Sequence, residues 1–148
     1  MTKRLIVLMG NIGTGKSTYC KNNFVNGEII ICPDDWNLSI SELQKKMFIE
    51  IEKGLLENKI VVVDGVNLTK KNREVYIYLA RNAKCKVVFI DFGPGDIKTL
   101  TRKINNYEET TEKEWKEIHE ENFRKYEKPN VNEGFKIVPV EIKTMYCC

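Results

Sequence analysis

The stretch that decides the fold is Arg4-Leu5-Ile6-Val7-Leu8-Met9-Gly10-Asn11-Ile12-Gly13-Thr14-Gly15-Lys16-Ser17-Thr18. Leu5 to Met9 form a five-residue apolar run, which is typical of a strand buried on both faces of a parallel sheet. The part from Gly10 to Thr18 matches the pattern G-x-x-x-x-G-K-[ST], which requires a strand before it and a helix after it. The stretch therefore predicts a phosphate-binding turn between a strand and a helix.

The residue types in this turn suit a nucleoside triphosphate with its magnesium ion. Glycines let the backbone turn without Cβ clashes, so that successive N–H groups point at phosphate oxygens. Lys16 is expected to reach the β- and γ-phosphates and Ser17 to offer its hydroxyl to Mg²⁺, beside the positive end of a helix. We therefore predict a P-loop (Walker A) site for ATP and Mg²⁺, formed by Gly10, Asn11, Ile12, Gly13, Thr14, Gly15, Lys16, Ser17 and Thr18.

Strand and helix signals alternate along the chain, which predicts an α/β fold with a central parallel sheet of about five strands and helices on both faces. The expected strands are 4–9, 28–32, 60–64, 86–92 and 135–140, and Pro139 favours an edge position for the last one. The expected helices are 15–23, 41–58, 70–82, 96–101 and 112–126. Capping boxes are expected at Ser41 with Gln44 and at Thr111 with Glu114, and a further cap at Thr69.

Length and composition predict one globular domain spanning residues 1–148. The chain is 42% hydrophobic and 30% charged, far from the composition of disordered chains, and its net charge of +3 permits a polyanionic substrate without demanding one. Because the apolar run near the N-terminus is too short for a membrane span, we expect a cytoplasmic protein without a membrane partner. The five cysteines suggest reduced thiols; no function is assigned to Cys147 and Cys148, and the oligomeric state is not predicted.

Asp64 follows the apolar run Ile60-Val61-Val62-Val63 and precedes Gly65. A carboxylate at the end of a strand beside the P-loop can hold Mg²⁺, directly or through water. The same residue type at a strand end also serves as an ordinary turn residue. Both interpretations stay open, with the magnesium role preferred.

Two further carboxylates, Asp34 and Asp35, follow the second predicted strand, at the sheet edge where α/β proteins bind ligands. A kinase needs a carboxylate to accept the proton of the attacking hydroxyl. Paired aspartates in a loop are more often caps or turn residues, but the neighbouring P-loop favours the catalytic interpretation. His119, the one histidine, is expected on a charged helix face and does not compete for this role.

These segments together resemble the kinase domain of the 5′-polynucleotide kinases. The resemblance rests on Gly10 to Thr18, on Asp34-Asp35, on Val63-Asp64-Gly65-Val66-Asn67-Leu68, and on the late segment 123–135 with Pro129 and Glu133-Gly134-Phe135. It implies transfer of the ATP γ-phosphate to the 5′-hydroxyl of RNA or DNA, with Asp34 as the general base and Lys16 on the phosphates. Asp35 would then be structural.

The chain departs from that family at two positions. In that family an arginine usually stands three residues after the base and contacts the scissile phosphate region. This chain has Asn37 there, kept here as a substrate-binding candidate. The polar segment 102–111 is predicted to be a lid; of the two arginines expected there, Arg102 is present and Asn106 replaces the other. The resemblance also assigns Arg73 to the acceptor side. Possible substitutes for the missing arginines are Lys45, Lys46 and Lys103.

Three functions remain open from the sequence. The preferred one is an ATP-dependent kinase acting on the 5′ end of a polynucleotide. The second is a kinase of a small hydroxyl compound such as a nucleoside, because the same P-loop and base would serve it. The third is an ATP-binding module with a degenerate acceptor site, which Asn37 and Asn106 would fit and an intact Asp34 opposes.

Overall fold

Five parallel strands form the central sheet in the computed structural model, which describes residues 3–106, 110–129 and 136–139. Their order across the sheet is β2-β3-β1-β4-β5, and every neighbouring pair runs parallel. This confirms the predicted parallel sheet, and β5 lies at an edge as Pro139 indicated. The strands are β1 (Arg4–Met9), β2 (Ile29–Ile31), β3 (Ile60–Val63), β4 (Lys86–Asp91) and β5 (Lys136–Pro139).

Five α-helices connect and cover the strands in the described ranges. They are α1 (Lys16–Asn23), α2 (Ile40–Leu56), α3 (Lys70–Asn82), α4 (Ile97–Asn106) and α5 (Glu112–Lys125), and a short 3₁₀ turn spans Pro33–Asp35. Thr69 caps α3 and Thr111 with Glu114 forms a capping box at the start of α5, as the sequence predicted. Thr69 in addition forms a capping box with Asn72, which was not predicted. None of the helices in the described ranges is long and apolar enough to cross a membrane.

Alternate side chains of β1 enter two apolar clusters on opposite faces of the sheet. Leu5, Val7 and Met9 pack with buried residues of α2 and α3 on one face. Ile6 and Leu8 pack with Cys20 of α1 on the other. Because both faces are covered, β1 reads as a continuous apolar run and not as an alternating one.

Two expectations about local structure are wrong. Ser39, not Ser41, begins α2, because its hydroxyl accepts a hydrogen bond from the backbone N–H of Glu42. The helix expected over 96–101 continues to Asn106, so the first half of the predicted lid is helical. Leu100 is buried and anchors this helix, although the residues that follow it are mostly polar. Residues 107–109 of the predicted lid, the segment Glu133-Gly134-Phe135 and Cys147-Cys148 lie outside the described residues.

The carboxyl ends of the strands bring the sequence candidates to one edge of the sheet. The P-loop follows β1, the turn containing Asp34 follows β2, and Asp64 follows β3. Parallel strands place all their carboxyl ends on the same side, which is where ligands bind in this class of fold. The fold thus collects residues that lie up to 54 positions apart, from Gly10 to Asp64.

Candidate nucleotide and acceptor sites

The P-loop turns at three glycines with left-handed backbone conformations. The φ angles are 147° at Gly10, 74° at Gly13 and 93° at Gly15, a region that side chains with a Cβ rarely occupy. The N–H of Gly10 donates to the carbonyl of Val66 at 2.9 Å, which ties the start of the turn to the loop after β3. Gly10, Asn11 and Thr14 are buried and support the turn, and the Thr14 hydroxyl donates to the Asn11 carbonyl at 2.7 Å.

Lys16 points back into the turn that carries it. Its Nζ donates to the carbonyl oxygens of Gly10 and Asn11, each at 2.8 Å, and the side chain is buried. Burial lowers the pKa of this ammonium from 10.5 to about 8; the carboxylate of Asp64 opposes that shift, and the charge of Lys103 adds to it. The Lys16 ammonium therefore lies within the turn whose N–H groups are suited to bind anions.

Ser17 and Asp64 meet beneath the P-loop. The Ser17 hydroxyl donates to Asp64 Oδ2 at 2.8 Å, although the two residues are 47 positions apart in the sequence. A hydroxyl and a carboxylate are the hard oxygen ligands that Mg²⁺ prefers when it arrives with a nucleotide. The pair therefore fits a magnesium ion bound together with phosphates. Among the described residues, no cluster of three or more His, Cys, Asp or Glu forms a metal site by itself.

A cavity of about 130 Å³ opens above the P-loop. From the P-loop, it is lined by Ile12, Gly13, Gly15, Lys16, Ser17 and Thr18. Arg102 and Lys103 of α4 line its other side, and Arg102 donates to the Gly13 carbonyl at 2.8 Å. Three cationic side chains thus surround one cavity, which is suited to the charge of a triphosphate.

A second cavity, of about 470 Å³, lies between α2 and α3. Its walls include apolar side chains from both helices, among them Leu43, Met47, Phe48, Val75 and Tyr76. Asp34 lines this cavity and also the cavity above the P-loop. Asp35 lines neither, although it is the adjacent residue. The two carboxylates that the sequence could not separate by pattern are therefore separated by position.

Arg73 does not face the acceptor side, which corrects the expectation from the resemblance. Its side chain is fully buried, and its guanidinium donates to the backbone carbonyls of Asn67 and Leu68 at 3.3 Å and 3.0 Å. The sequence carried a signal for this, because Arg73 shares an i, i+3, i+4, i+7 stripe with the buried residues Tyr76, Ile77 and Ala80. Arg73 thus stabilises the loop after β3 from within the core.

The remaining acceptor candidates lie at the surface. Asn37 is exposed and lines neither cavity. Trp36 packs against the core cluster on the α2 side, with Lys46 Nζ 4.3 Å from its ring centroid, so packing is the better interpretation of this tryptophan. Of the lysines proposed as substitutes for arginine, Lys103 reaches the P-loop cavity.

Two residues near the site were not predicted from the sequence. Cys32 Sγ lies 4.0 Å from Asp64 Oδ2, and burial, followed by the Asp64 charge, raises the pKa of this thiol to about 11. The thiol is therefore protonated at neutral pH and acts as a neutral neighbour of the carboxylate. Asn67 holds the loop after β3 against β1, because its side-chain amide donates to the Leu8 carbonyl at 2.9 Å.

Comparison with known proteins places this geometry in context. The family model described as "Chromatin associated protein KTI12" matches residues 32–135. A search of curated proteins finds no significant match. Many solved structures share the fold, and all those described next are less than 25% identical to the chain.

Three of these structures carry the comparison. Kti12 of Chaetomium thermophilum, in complex with ADP-AlF3, is 18% identical with a TM-score of 0.58, over 92% of this chain and 88% of that one. A fungal RNA kinase is 18% identical with a TM-score of 0.71, over 95% and 76%. A gluconokinase from Sinorhizobium meliloti 1021 is 17% identical with a TM-score of 0.61, over 95% and 85%.

The structural neighbours are kinases of different substrates together with a nucleotide-bound Kti12. They agree with the P-loop, the parallel sheet and the sequence resemblance to polynucleotide kinases. The family model covers more than half of the chain, from the turn after β2 to the segment before β5. The chain therefore belongs to the KTI12 family and has the fold of a P-loop kinase.

Proposed function

We propose that this chain transfers the γ-phosphate of ATP to a hydroxyl acceptor, and that the acceptor is the 5′-hydroxyl of a polynucleotide. The observation that carries the proposal is the position of Asp34, which lines both the cavity above the P-loop and the cavity between α2 and α3. A general base in a kinase must lie where the two substrates meet, since it takes the proton of the acceptor hydroxyl while that oxygen attacks the γ-phosphate.

In the proposed reaction, ATP lies in the P-loop cavity with its phosphates near Lys16, Arg102 and Lys103. The acceptor hydroxyl enters from the second cavity, and the Asp34 carboxylate accepts its proton. The hydroxyl oxygen forms a bond to the γ-phosphorus while the bond between that phosphorus and the β,γ-bridging oxygen breaks, and ADP leaves. The cations stabilise the charge on the transferred group, and Mg²⁺, held near Ser17 and Asp64, supplies further charge stabilisation when bound.

The lining of the second cavity supports a nucleoside end as the acceptor. Apolar and aromatic side chains form its walls, and Gln44, Asn67 and Asn72 supply neutral hydrogen-bonding groups. Besides Asp34, Lys71 is the charged residue in this lining. A flat base with a sugar suits such walls, and one cation suits one phosphate of a short strand end. The same lining also accepts a free nucleoside, which is the second candidate.

Transfer of labelled γ-phosphate from ATP to a panel of acceptors tests the proposal. The panel contains RNA and DNA oligonucleotides with a 5′-hydroxyl, the same oligonucleotides with a 5′-phosphate, and free nucleosides. We expect label on the 5′-hydroxyl oligonucleotides alone. Label on nucleosides but not on oligonucleotides would establish the second candidate. ATP binding without transfer to any acceptor would establish the degenerate module, for which the exposed Asn37 in place of an arginine is the motivating observation.

The chain offers a matched control for the base. Asp34→Ala and Asp35→Ala remove the same group from adjacent positions, but Asp34 alone of the two lines the cavities. Asp34→Ala is expected to reduce transfer by a factor of about 10² to 10⁴, the usual contribution of general base catalysis. It should retain ATP binding, whereas Asp35→Ala should retain transfer. Equal losses in both variants would reject Asp34 as the base.

A further inference from the structure

His119 of α5 lies against the nucleotide site, not on the charged helix face that the sequence suggested. The residue is 7% exposed, and its Nε2 lies 2.9 Å from Thr99 Oγ1 at the first turn of α4. Gly95 makes room for the ring: a Cβ at that position would lie 2.8 Å from Nε2, and the φ angle of Gly95 is 81°. The loop before α4 is therefore shaped around this imidazole.

The hydroxyl of Thr99 joins α5 to the start of α4. Its oxygen accepts from the Asp96 N–H at 2.9 Å, and it lies 2.8 Å from the Asp96 carbonyl and 2.9 Å from His119 Nε2. A histidine with its hydrogen on Nε2 donates to this oxygen, and one with its hydrogen on Nδ1 accepts from it. In both forms the bond ties α5 to the start of α4.

The backbone of the same residue holds the P-loop. The His119 carbonyl accepts from Asn11 Nδ2 at 2.9 Å, and that amide group also donates to the Pro94 carbonyl at 2.8 Å. Asn11 is fully buried, its Oδ1 accepts from the Ile12 N–H at 2.7 Å, and its own carbonyl accepts from Lys16 Nζ. A shift of His119 would therefore move Asn11, and through the Asn11 carbonyl it would move the Lys16 ammonium, which we expect to bind the phosphates.

Helix α4 and the P-loop also touch directly. The carbonyl of Thr99 lies where a Cβ on Gly13 would stand, so the two backbones are in close contact. One turn further on, Arg102 donates to the Gly13 carbonyl, and Arg102 and Lys103 both line the P-loop cavity. The first turn of α4 thus sets where these two cations lie.

We propose that His119 is a positioning residue for the nucleotide site: it holds the P-loop and α4 together as one unit, with Arg102 and Lys103 directed at the phosphates. Its side chain fixes Thr99, and its carbonyl fixes Asn11. The part that concerns phosphates rests on the proposed function, because it assumes that ATP occupies the P-loop cavity. The part that concerns the contact between α4 and the P-loop does not.

The test compares His119→Leu, which removes the hydrogen-bonding nitrogen, with His119→Gln, whose side-chain amide both donates and accepts hydrogen bonds. Direct titration of MgATP should show an affinity about tenfold lower for His119→Leu, since one hydrogen bond contributes on the order of a tenfold change, and a near-normal affinity for His119→Gln. The same comparison is then made in a chain with Arg102→Ala and Lys103→Ala. There His119→Leu should cause a clearly smaller further loss, because the two cations that it positions are gone and only its link through Asn11 to Lys16 remains. A full additional loss in that background would overturn the proposal.

Hydrogen exchange provides the measurement that does not depend on ATP. His119→Leu should speed exchange at the amides of the P-loop and α4 more than Ile51→Val, a control that shortens a buried side chain of α2 away from the network. If His119→Leu leaves exchange at these amides unchanged, the positioning role is rejected, whether or not the protein binds ATP. If His119→Leu speeds exchange at these amides but the wild type does not bind ATP, only the proposed function is rejected. Should His119→Leu not fold, Thr99→Val and Thr99→Ser provide the same comparison from the other side of the bond.

Discussion

The hydroxyl of Ser17 donates to Asp64 Oδ2 at 2.8 Å and joins the P-loop to the end of β3. Ser17 fills the [ST] position that ends the pattern G-x-x-x-x-G-K-[ST], and Asp64 is the carboxylate whose role the sequence left open between magnesium and a turn. The contact favours the magnesium interpretation, because the side chain of an ordinary turn residue bonds to its own turn and is not expected to contact the P-loop hydroxyl. We propose that both oxygens would hold one metal ion if a nucleotide brought it to the site.

Ser17→Ala should therefore lower the effect of Mg²⁺ on ATP affinity. The measurement is a pair of ATP titrations, one with Mg²⁺ and one with a chelator, for the wild type, Ser17→Ala and Ser17→Thr. We expect Mg²⁺ to strengthen binding in the wild type and in Ser17→Thr, which keeps the hydroxyl, and the gain to fall about tenfold in Ser17→Ala. An equal gain from Mg²⁺ in all three proteins would contradict the assignment.

Lys71 should affect the acceptor and not ATP. It lines the cavity between α2 and α3, whereas its neighbour Lys70 does not. Lys71→Gln is expected to raise the KM for a 5′-hydroxyl oligonucleotide about three- to tenfold at low salt and to leave the KM for ATP unchanged. Lys70→Gln is the matched control, since it removes the same charge from the same helix end. A similar rise in both variants would indicate a general electrostatic effect and would contradict a specific role for the cavity.

The P-loop and the position of Asp34 and Asp64 at one edge of the sheet could be predicted because their causes are local. The glycines of the turn, the apolar run of β1 and the strand-end positions of Asp34 and Asp64 follow from neighbours in sequence, and parallel strands bring such ends together. The residue pattern alone did not separate Asp34 from Asp35, and the family resemblance assigned the base to Asp34. The difference in position between the two carboxylates depends on how α2 and α3 pack, since these helices enclose the second cavity.

The errors concern side chains whose direction depends on packing between distant elements. The family resemblance assigned Arg73 to the acceptor side, and the neighbouring charges assigned His119 to a solvated helix face, yet both residues are buried. His119 shares a helical stripe with Trp115, Asn122 and Tyr126, each partly buried, and this spacing was the signal that charge obscured. A polar group on a buried stripe requires a partner in the interior. For His119 that partner, Thr99, lies 20 positions away in the sequence, and no local pattern identifies it.

Gly13 should be intolerant of a side chain for two separable reasons. Its φ of 74° strains any residue with a Cβ, and a Cβ here would collide with the Thr99 carbonyl. Gly27 has a φ of 90° with nothing within 4 Å of its Cβ position, so Gly27→Ala carries the strain alone. We expect Gly27→Ala to lower the free energy of unfolding by about 1 kcal/mol and Gly13→Ala to lower it by clearly more.

Urea denaturation measures this difference, and ATP titration shows whether it reaches the site. Gly13→Ala should also weaken ATP binding, because the added methyl group pushes α4 and its two cations away from the P-loop cavity. Gly27→Ala should bind ATP normally. If the two variants lose the same stability, the close contact between Gly13 and Thr99 makes no contribution of its own.

ATP affinity should depend on the protonation of Lys16. Burial lowers the pKa of this group from 10.5 to about 8, so the folded, ATP-free protein loses its charge at a lower pH than the unfolded chain does. For a lysine shifted in this direction, the unfolded state binds more protons between pH 8 and 10.5, and the contribution of Lys16 to stability rises across that window. The sign for ATP is the opposite. Phosphates favour the charged form, so binding above pH 8 must recover the proton that Lys16 has lost.

The affinity for MgATP should therefore fall as the pH rises above 8, by up to about tenfold per pH unit, and binding at pH 9 should take up protons. Calorimetric titrations in two buffers with different ionisation enthalpies measure the uptake directly. Lys16→Arg is the control, because a guanidinium keeps its charge throughout this range, and its affinity should show no such decline whatever its absolute value. A decline of the same size in Lys16→Arg would assign the pH dependence to another group, since the arginine side chain cannot lose its proton there.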